Sequence, residues 1–371
     1  MATEWGKEKF GFGLMRLPKK DNEIIIPEVC EMVDNFMAKG FTYFDTAYVY
    51  QGSEVAFKKA VVDRYPRESY TVATKMAGWL LGPDKTPQDM FNEQLERTGV
   101  SYFDYYLLHS MQPTRIEMYE ENGCWDFCEK MKAEGKIRYF GFSFHGDEKL
   151  LDELLTAHPE VDFVQLQLNY VDWDNEIIRA GANYEVAVKH GKDVIVMEPV
   201  KGSILANLRP EFAEKLSALD PKASQASFAL RFAASLPGVK MILSGMSTPE
   251  QMEDNLKTFT DFKPLSEEEK AVLQEITEGF NALPTIPCTG CSYCTKGCPM
   301  SINIPEIFKL YNAYLTFGEH SRPHLNYKTL LTLGSGRVSD CLKCGQCEAA
   351  CPQHINIIER LEEMAEYFDG Q

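Results

Sequence analysis

Two kinds of pattern alternate along the first 280 residues. Short apolar runs of strand length recur near residues 10–15 and at 42–45, 70–75, 102–109, 137–143, 163–169, 194–198 and 239–244. Between them, apolar positions fall at helical spacing in residues 27–38, 87–98, 148–157, 176–190 and 222–235. Thr86 before Pro87 and Thr248 before Pro249 supply a capping hydroxyl ahead of a proline, which marks two helix starts. Eight strands joined by crossover helices predict an α/β chain built as a (β/α)8 barrel. An open doubly wound sheet is the alternative, but the first strand-to-helix turn lacks the G-x-G-x-x-G run such sheets use for dinucleotides.

Beyond residue 280 the pattern changes. Ser266 and Glu269 have capping-box spacing for a helix reaching about residue 280, and Pro284 and Pro287 then break it. The boundary falls here, with a barrel over 1–282 and a second domain over 283–371. In that domain 304–317 and 327–333 read as helices, separated by the turn-rich stretch 320–324. The tail 355–368 sets Ile355, Ile358, Leu361, Met364 and Phe368 on one helical stripe.

Composition narrows the function more than the fold. The length of 371 residues suits a large barrel with a small appendage. A formal charge of −17 repels polyanions over most of the surface and argues against nucleic acid as a partner. No apolar stretch is long enough to span a bilayer, and the opening segment lacks a signal core. A cytoplasmic protein without a membrane partner is expected.

Cysteine spacing is the sharpest signal. The run Cys288, Cys291, Cys294, Cys298 ends in Pro299, and Cys341, Cys344, Cys347, Cys351 repeats it residue for residue before Pro352. Three thiolates two residues apart wrap three irons of one cubane, and the fourth, followed by proline, turns toward the other cluster. This assigns Cys288, Cys291, Cys294 and Cys351 to one [4Fe-4S] cluster, and Cys341, Cys344, Cys347 and Cys298 to the second. Zinc is the competing reading, but tetrahedral zinc sites pair separated C-x-x-C knuckles and need no third cysteine in step. The remaining cysteines, Cys30, Cys124 and Cys128, fit helix core faces. Both runs resemble those of the dicluster ferredoxins, and the helices around them resemble the helical kind of ferredoxin domain fused to reductases.

A barrel carries its chemistry at the C-terminal ends of its strands. Three successive strands end in complementary groups: Asp45, Lys75 and His109. Together with Tyr50, in the segment after Asp45, these residues resemble the Asp, Tyr, Lys and His tetrad of the aldo-keto reductases, over roughly residues 8–260. The resemblance implies Tyr50 as proton donor to a substrate carbonyl, Lys75 lowering its pKa, Asp45 fixing Lys75, and His109 orienting the carbonyl oxygen. A neighbouring ammonium does stabilise phenolate, and that ammonium needs a carboxylate partner if it is buried. Tyr48 competes with Tyr50, but the family spacing selects Tyr50.

The same resemblance implies a nicotinamide cofactor, with Ser143 and Gln165 at its carboxamide and Met197 at the position that stacks on the ring. Gly245, Gln251, Asp254 and Asn255 fall in the adenosine-phosphate segment. The Lys and Arg that meet a 2′-phosphate in the family are Gly245 and Gln251 here, so NADH is at least as plausible as NADPH. The expected function is NAD(P)H-dependent reduction of a small aldehyde or ketone, with two [4Fe-4S] clusters for electron transfer or structure. The alternative is an electron-transfer protein whose clusters serve a redox partner and whose barrel docks or senses.

Overall fold

A computed structural model describes residues 9–21, 23–113, 115–175, 178–283, 285–286, 288, 292, 294–351 and 355–370. The chain divides into two compact units, Met1–Ala206 with Leu216–Gln274, and Asn207–Lys215 with Glu275–Gln371.

In the first unit eight parallel strands close into a barrel: β1 (Phe10–Gly13), β2 (Tyr43–Asp45), β3 (Thr71–Met76), β4 (Phe103–Met111), β5 (Ile137–Phe144), β6 (Phe163–Gln167), β7 (Asp193–Met197) and β8 (Val239–Gly245). Their order around the barrel is the chain order, and β1 closes the ring by pairing with both β2 and β8. Eight principal helices follow the strands in turn: α1 (Ile26–Ala38), α2 (Ser53–Phe57), α3 (Pro87–Thr98), α4 (Cys124–Ala133), α5 (Glu148–Ala157), α6 (Ala180–Lys189), α7 (Gln225–Ala234) and α8 (Pro249–Thr260). The expected caps are in place: Thr86 accepts from the Asp89 N–H within a full capping box, and Thr248 accepts from the Gln251 N–H.

Side chains alternate between the two faces of each strand. The outward ones, among them Phe12, Phe44, Val72, Tyr106, Phe142 and Val194, pack under the helices as the main core. The inward ones, Tyr43, Ala73, Tyr105, Leu107, Phe163, Ile195, Met241 and Leu243, form a separate cluster that fills the bore. Two residues further along the strands, on the same face, stand Asp45, Lys75, His109, Gln165, Met197 and Gly245. Ser143 holds the equivalent place two residues after Gly141, opposite Gln165 in register. The period of two thus lifts every one of these predicted residues to the rim above a packed plug.

One helix differs from its expected extent. α6 begins at Ala180, four residues later than 176, and Glu176 itself lies outside the described residues. Arg179 is held in the left-handed region (φ 53°), which stops the helix from extending backward. Ahead of it Val171 is buried and Trp173 partly buried, in turns that Asn169 and Asp172 hold together.

The second unit is mostly helical, with α9 (Ile304–Phe317), α10 (Pro323–Thr332) and α11 (Ile357–Asp369). α10 starts earlier than 327 because Pro323 occupies its first position, where a missing N–H costs nothing. Its core is small. Ile302, Ile304, Ile307, Phe308, Tyr327, Leu361, Met364 and Phe368 pack together with Cys294 and Cys347, while Cys288, Cys298, Cys341 and Cys351 lie partly buried against them.

Candidate active site and cluster cavity

The barrel rim gathers four groups. The Lys75 ammonium is fully buried and donates to Asp45 Oδ1 at 2.5 Å and to the Thr46 carbonyl at 2.7 Å. It lies 5.1 Å from the centre of the Tyr50 ring, and the His109 imidazole meets that ring edge-on at 5.7 Å. The sequence-derived tetrad therefore converges. Burial alone would favour the neutral amine, but the Asp45 carboxylate and the Tyr50 phenol outweigh it and hold Lys75 above its ordinary range.

Tyr50 behaves differently from the simple expectation. Burial pushes its hydroxyl up and outweighs the Lys75 ammonium, which pulls it down as expected. The net result is a protonated phenol, which suits a proton donor. His109 is held well below 6.5, first by burial and then by the charges of Lys75, His145 and Arg115, so it is a neutral imidazole. Its Nδ1 is buried without a hydrogen-bond partner among the described residues. Tyr48 is occupied elsewhere: its hydroxyl donates to Glu93 at 2.6 Å and accepts from Lys85 at 2.7 Å, with Arg97 over its ring at 4.2 Å.

Several supports escaped the sequence reading. Glu54 is buried behind Lys75, where it accepts from Thr74 Oγ1 at 2.8 Å and from Gln94 Nε2 at 3.0 Å. Gln94 also donates to the Lys75 carbonyl at 3.1 Å and accepts from Tyr106 at 2.6 Å. Tyr119 donates to the His109 carbonyl at 2.5 Å and accepts from the Gly78 N–H at 3.1 Å, tying the ends of β3 and β4 together. Gly78 has to lack a side chain, since a Cβ there would stand 2.4 Å from the Tyr119 ring. No periodicity announces a buried Glu or Gln whose partners come from other elements.

The proposed nucleotide residues divide into two groups. Ser143 and Gln165 stand side by side, buried, with Ser143 Oγ accepting from the Ser110 N–H at 2.7 Å and Gln165 Oε1 without a partner among the described residues. Met197 ends β7 half-buried. Gln251, Asp254 and Asn255 hold their own backbone or neighbours: Gln251 accepts from the Ser247 N–H, Asp254 from Ser224, and Asn255 donates to Ser244. Beside Gly245, which is itself exposed, lies a residue that the sequence reading passed over. The aliphatic stem of Arg16 lies across it, 3.4 Å from where a Cβ would stand, and the guanidinium approaches Glu198 at 3.7 Å. Arg16 follows β1 by three residues, at the end of the short turn Leu14–Arg16.

Comparison with known proteins decides the family. Residues 9–278 match the aldo/keto reductase family, and residues 287–356 match a 4Fe-4S dicluster domain. The chain belongs to the aldo/keto reductase family. An aldo-keto reductase of Mycolicibacterium vanbaalenii is 30% identical over 256 residues, covering 66% of this chain and 82% of that one. Among solved structures, the thermostable aldo-keto reductase Tm1743, in complex with the inhibitor epalrestat, superposes with a TM-score of 0.60 at 25% identity, covering 74% of this chain and 99% of that one. An aldo-keto reductase of Klebsiella pneumoniae in complex with NADPH has the same fold, with a TM-score of 0.59 at 21% identity over 72% of this chain and 90% of its own. This aldo/keto reductase is an NAD(P)-dependent oxidoreductase that also carries a 4Fe-4S domain.

In the second unit of the reductase, Cys298, Cys341, Cys344 and Cys347 line one pocket, walled by Ile302, Ile304, Leu342, Ile358 and Leu361. These four come from both cysteine runs. Of the other set, Cys291 and Pro352 lie outside the described residues, while Cys288 and Cys351 are half-buried and Cys294 is buried. Cys124 and Cys128 are buried under the barrel helices; burial pushes the Cys124 thiol up to about 12 and raises the Cys128 thiol as well, so both stay inert thiols. Cys30 packs partly buried on the same core. Among the described residues no helix is long and apolar enough to cross a membrane.

Proposed function

We propose that the barrel reduces the carbonyl of a small aldehyde or ketone, with Tyr50 as the proton donor. The observation that carries this reading is the Lys75 ammonium, buried, bonded to Asp45 and held 5.1 Å from the Tyr50 ring. Bound NAD(P)H supplies the hydride for the carbonyl carbon. Tyr50 gives its proton to the carbonyl oxygen, so one C–H and one O–H bond form as the C=O π bond is lost. Lys75 then faces the phenolate and stabilises it, and Asp45 with the Thr46 carbonyl keeps the ammonium in place. Neutral His109 donates one N–H to the carbonyl oxygen as negative charge gathers there.

The chain fits a nicotinamide at one specific atom. Gln165 Oε1, buried and unpartnered among the described residues, would accept an N–H of the carboxamide, beside the Ser143 hydroxyl. Arg16 returns a cation to the place where Gly245 lacks one, and there it would hold the phosphates of the dinucleotide. Arg16→Gln is expected to weaken nucleotide binding roughly 10-fold or more, the worth of a charge-assisted hydrogen bond. Fluorescence titration with NADH and NADPH checks this. A larger loss for NADPH places the guanidinium at the 2′-phosphate, and equal losses place it at the pyrophosphate. Unchanged affinity for both removes Arg16 from the site.

Four cysteines spaced around an apolar-walled cavity suit a cubane, whose thiolates stand apart around it. A zinc ion would instead draw its ligands onto one point. Carbonyl reduction consumes the hydride pair whole, so single electrons from two [4Fe-4S] clusters have no place in it; the clusters are structural or answer to a separate redox partner. The test is anaerobic. NADH or NADPH alone is expected to leave the cluster absorption unbleached, and adding a carbonyl to oxidise one nucleotide per carbonyl reduced. Bleaching by nucleotide alone would show hydride electrons entering the clusters and overturn this separation.

A further inference from the structure

The wall of the barrel site carries a cation that the reaction above does not use. β4 ends at Met111, and Arg115 stands just before the short helix Ile116–Glu121. Its guanidinium lies 3.8 Å from the centre of a Trp79 ring, and that indole lies 5.5 Å from the His109 imidazole. His109 in turn meets the Tyr50 ring. The contacts run in series from proton donor to guanidinium, along one wall.

Arg115 is unusual for this chain. Acidic residues outnumber basic ones by 55 to 38, and arginines such as Arg64, Arg67 and Arg231 close ion pairs at 2.6 or 2.7 Å. Among the described residues Arg115 has no carboxylate at ion-pair distance, and its polar fork is left with a ring face as its contact. Stacking on an indole fixes the plane of a guanidinium and leaves its N–H fork open for a planar anion. The neighbouring imidazoles are held neutral, His109 and His145 both chiefly by burial. A single positive charge matches a carboxylate better than a phosphate ester, which carries nearly two negative charges.

We propose that Arg115 binds a carboxylate of the substrate, so that this site takes short oxo acids: aldehydes or ketones with a carboxylate at the end away from the reacting carbonyl. The inference rests on the reading of the barrel as a carbonyl reductase. Trp79 is then the platform along which the substrate chain lies, between the guanidinium and His109. The substrate carboxylate supplies the partner that the protein's own acids do not.

The experiment compares 4-oxobutanoate with butanal, its uncharged counterpart, on the full-length holoprotein. The wild type is expected to show a kcat/KM for the oxo acid at least about tenfold that for butanal, the worth of one charge-assisted contact. Arg115→Gln is expected to reduce that ratio roughly 10- to 100-fold, mainly through KM of the oxo acid, and Arg115→Lys to keep part of it. The wild-type KM for 4-oxobutanoate is also expected to rise with ionic strength while that for butanal does not, a reading that survives if the variant fails to fold. A wild-type ratio near one, a ratio unmoved by Arg115→Gln, or salt-indifferent KM values would overturn the assignment and leave carbonyl reduction standing. Turnover of neither compound would remove the carbonyl-reductase reading and this inference with it.

Discussion

Replacing Tyr50 by phenylalanine is expected to lower kcat for carbonyl reduction by roughly 10²–10⁴-fold, the usual worth of a positioned proton donor. The substitution removes one oxygen and keeps the ring that His109 meets edge-on, so packing at the rim changes little. Nucleotide affinity is expected to persist, because the residues proposed for the dinucleotide lie on β5 to β8, on α8 and at Arg16. Steady-state turnover and a nucleotide titration on one preparation test both halves. Undiminished turnover would assign the proton to another group. Tyr48 is a poor substitute, since Glu93 and Lys85 already engage its hydroxyl from both sides.

The pH profile carries a second signature of the same arrangement. Burial raises Tyr50 above the ordinary value of 10.0, so the donor stays protonated at neutral pH and is lost only as the pH climbs beyond that value. His109 is lowered below 6.5 by burial and nearby cations, so it is already neutral there. For reduction, kcat/KM is therefore expected to show no step near pH 6.5 and to fall only on the alkaline side. A step near 6.5 that vanishes in a His109 variant would contradict the neutral imidazole. Lys75 is the wrong residue to probe by deletion, because removing it strands the Asp45 carboxylate in the protein interior. Such orphaned buried charges cost about 3–5 kcal/mol, and lost activity would then report lost folding.

Much of this site was legible because a barrel converts a period of two into depth. Once eight strands were recognised, their ends named the rim, and Asp45, Lys75, His109, Ser143 and Gln165 all lie one inward step above the side chains that plug the bore. The features that escaped depend on other geometry. Arg16 counts only because its stem crosses Gly245, and Arg115 only because a loop lays it on Trp79. Neither lies on a barrel strand. The direction in which Tyr50 shifts was also hidden, since it is a contest between an ammonium visible in the sequence and a depth of burial that only the fold sets. The helix expected from 176 begins only at Ala180 because Arg179 takes a left-handed conformation, which apolar spacing does not announce.

The cysteine runs raise a question of pairing that spacing poses and one double variant can answer. Crossed assignment puts Cys298 on the cluster of Cys341, Cys344 and Cys347, whereas run-by-run assignment puts it with Cys288, Cys291 and Cys294. The cavity lined by Cys298, Cys341, Cys344 and Cys347 favours the crossed form. Cys298→Ala is then expected to remove about half of the iron and sulfide, and Cys344→Ala about the same half. The double variant Cys298→Ala with Cys344→Ala is expected to lose no more than either alone, because both cysteines serve one cluster. Run-by-run pairing predicts instead that the double variant loses both clusters. Cys344 is exposed and Cys298 only half-buried, so these changes open smaller holes than would Cys347, which is part of the core. A cluster held by both runs also ties together segments that flank α9 and α10, so its loss is expected to loosen this small core as well as empty it. Iron and sulfide analysis, the reduced-state EPR spectrum and the melting temperature, taken on all three variants, separate the two pairings and show whether the clusters hold this unit together.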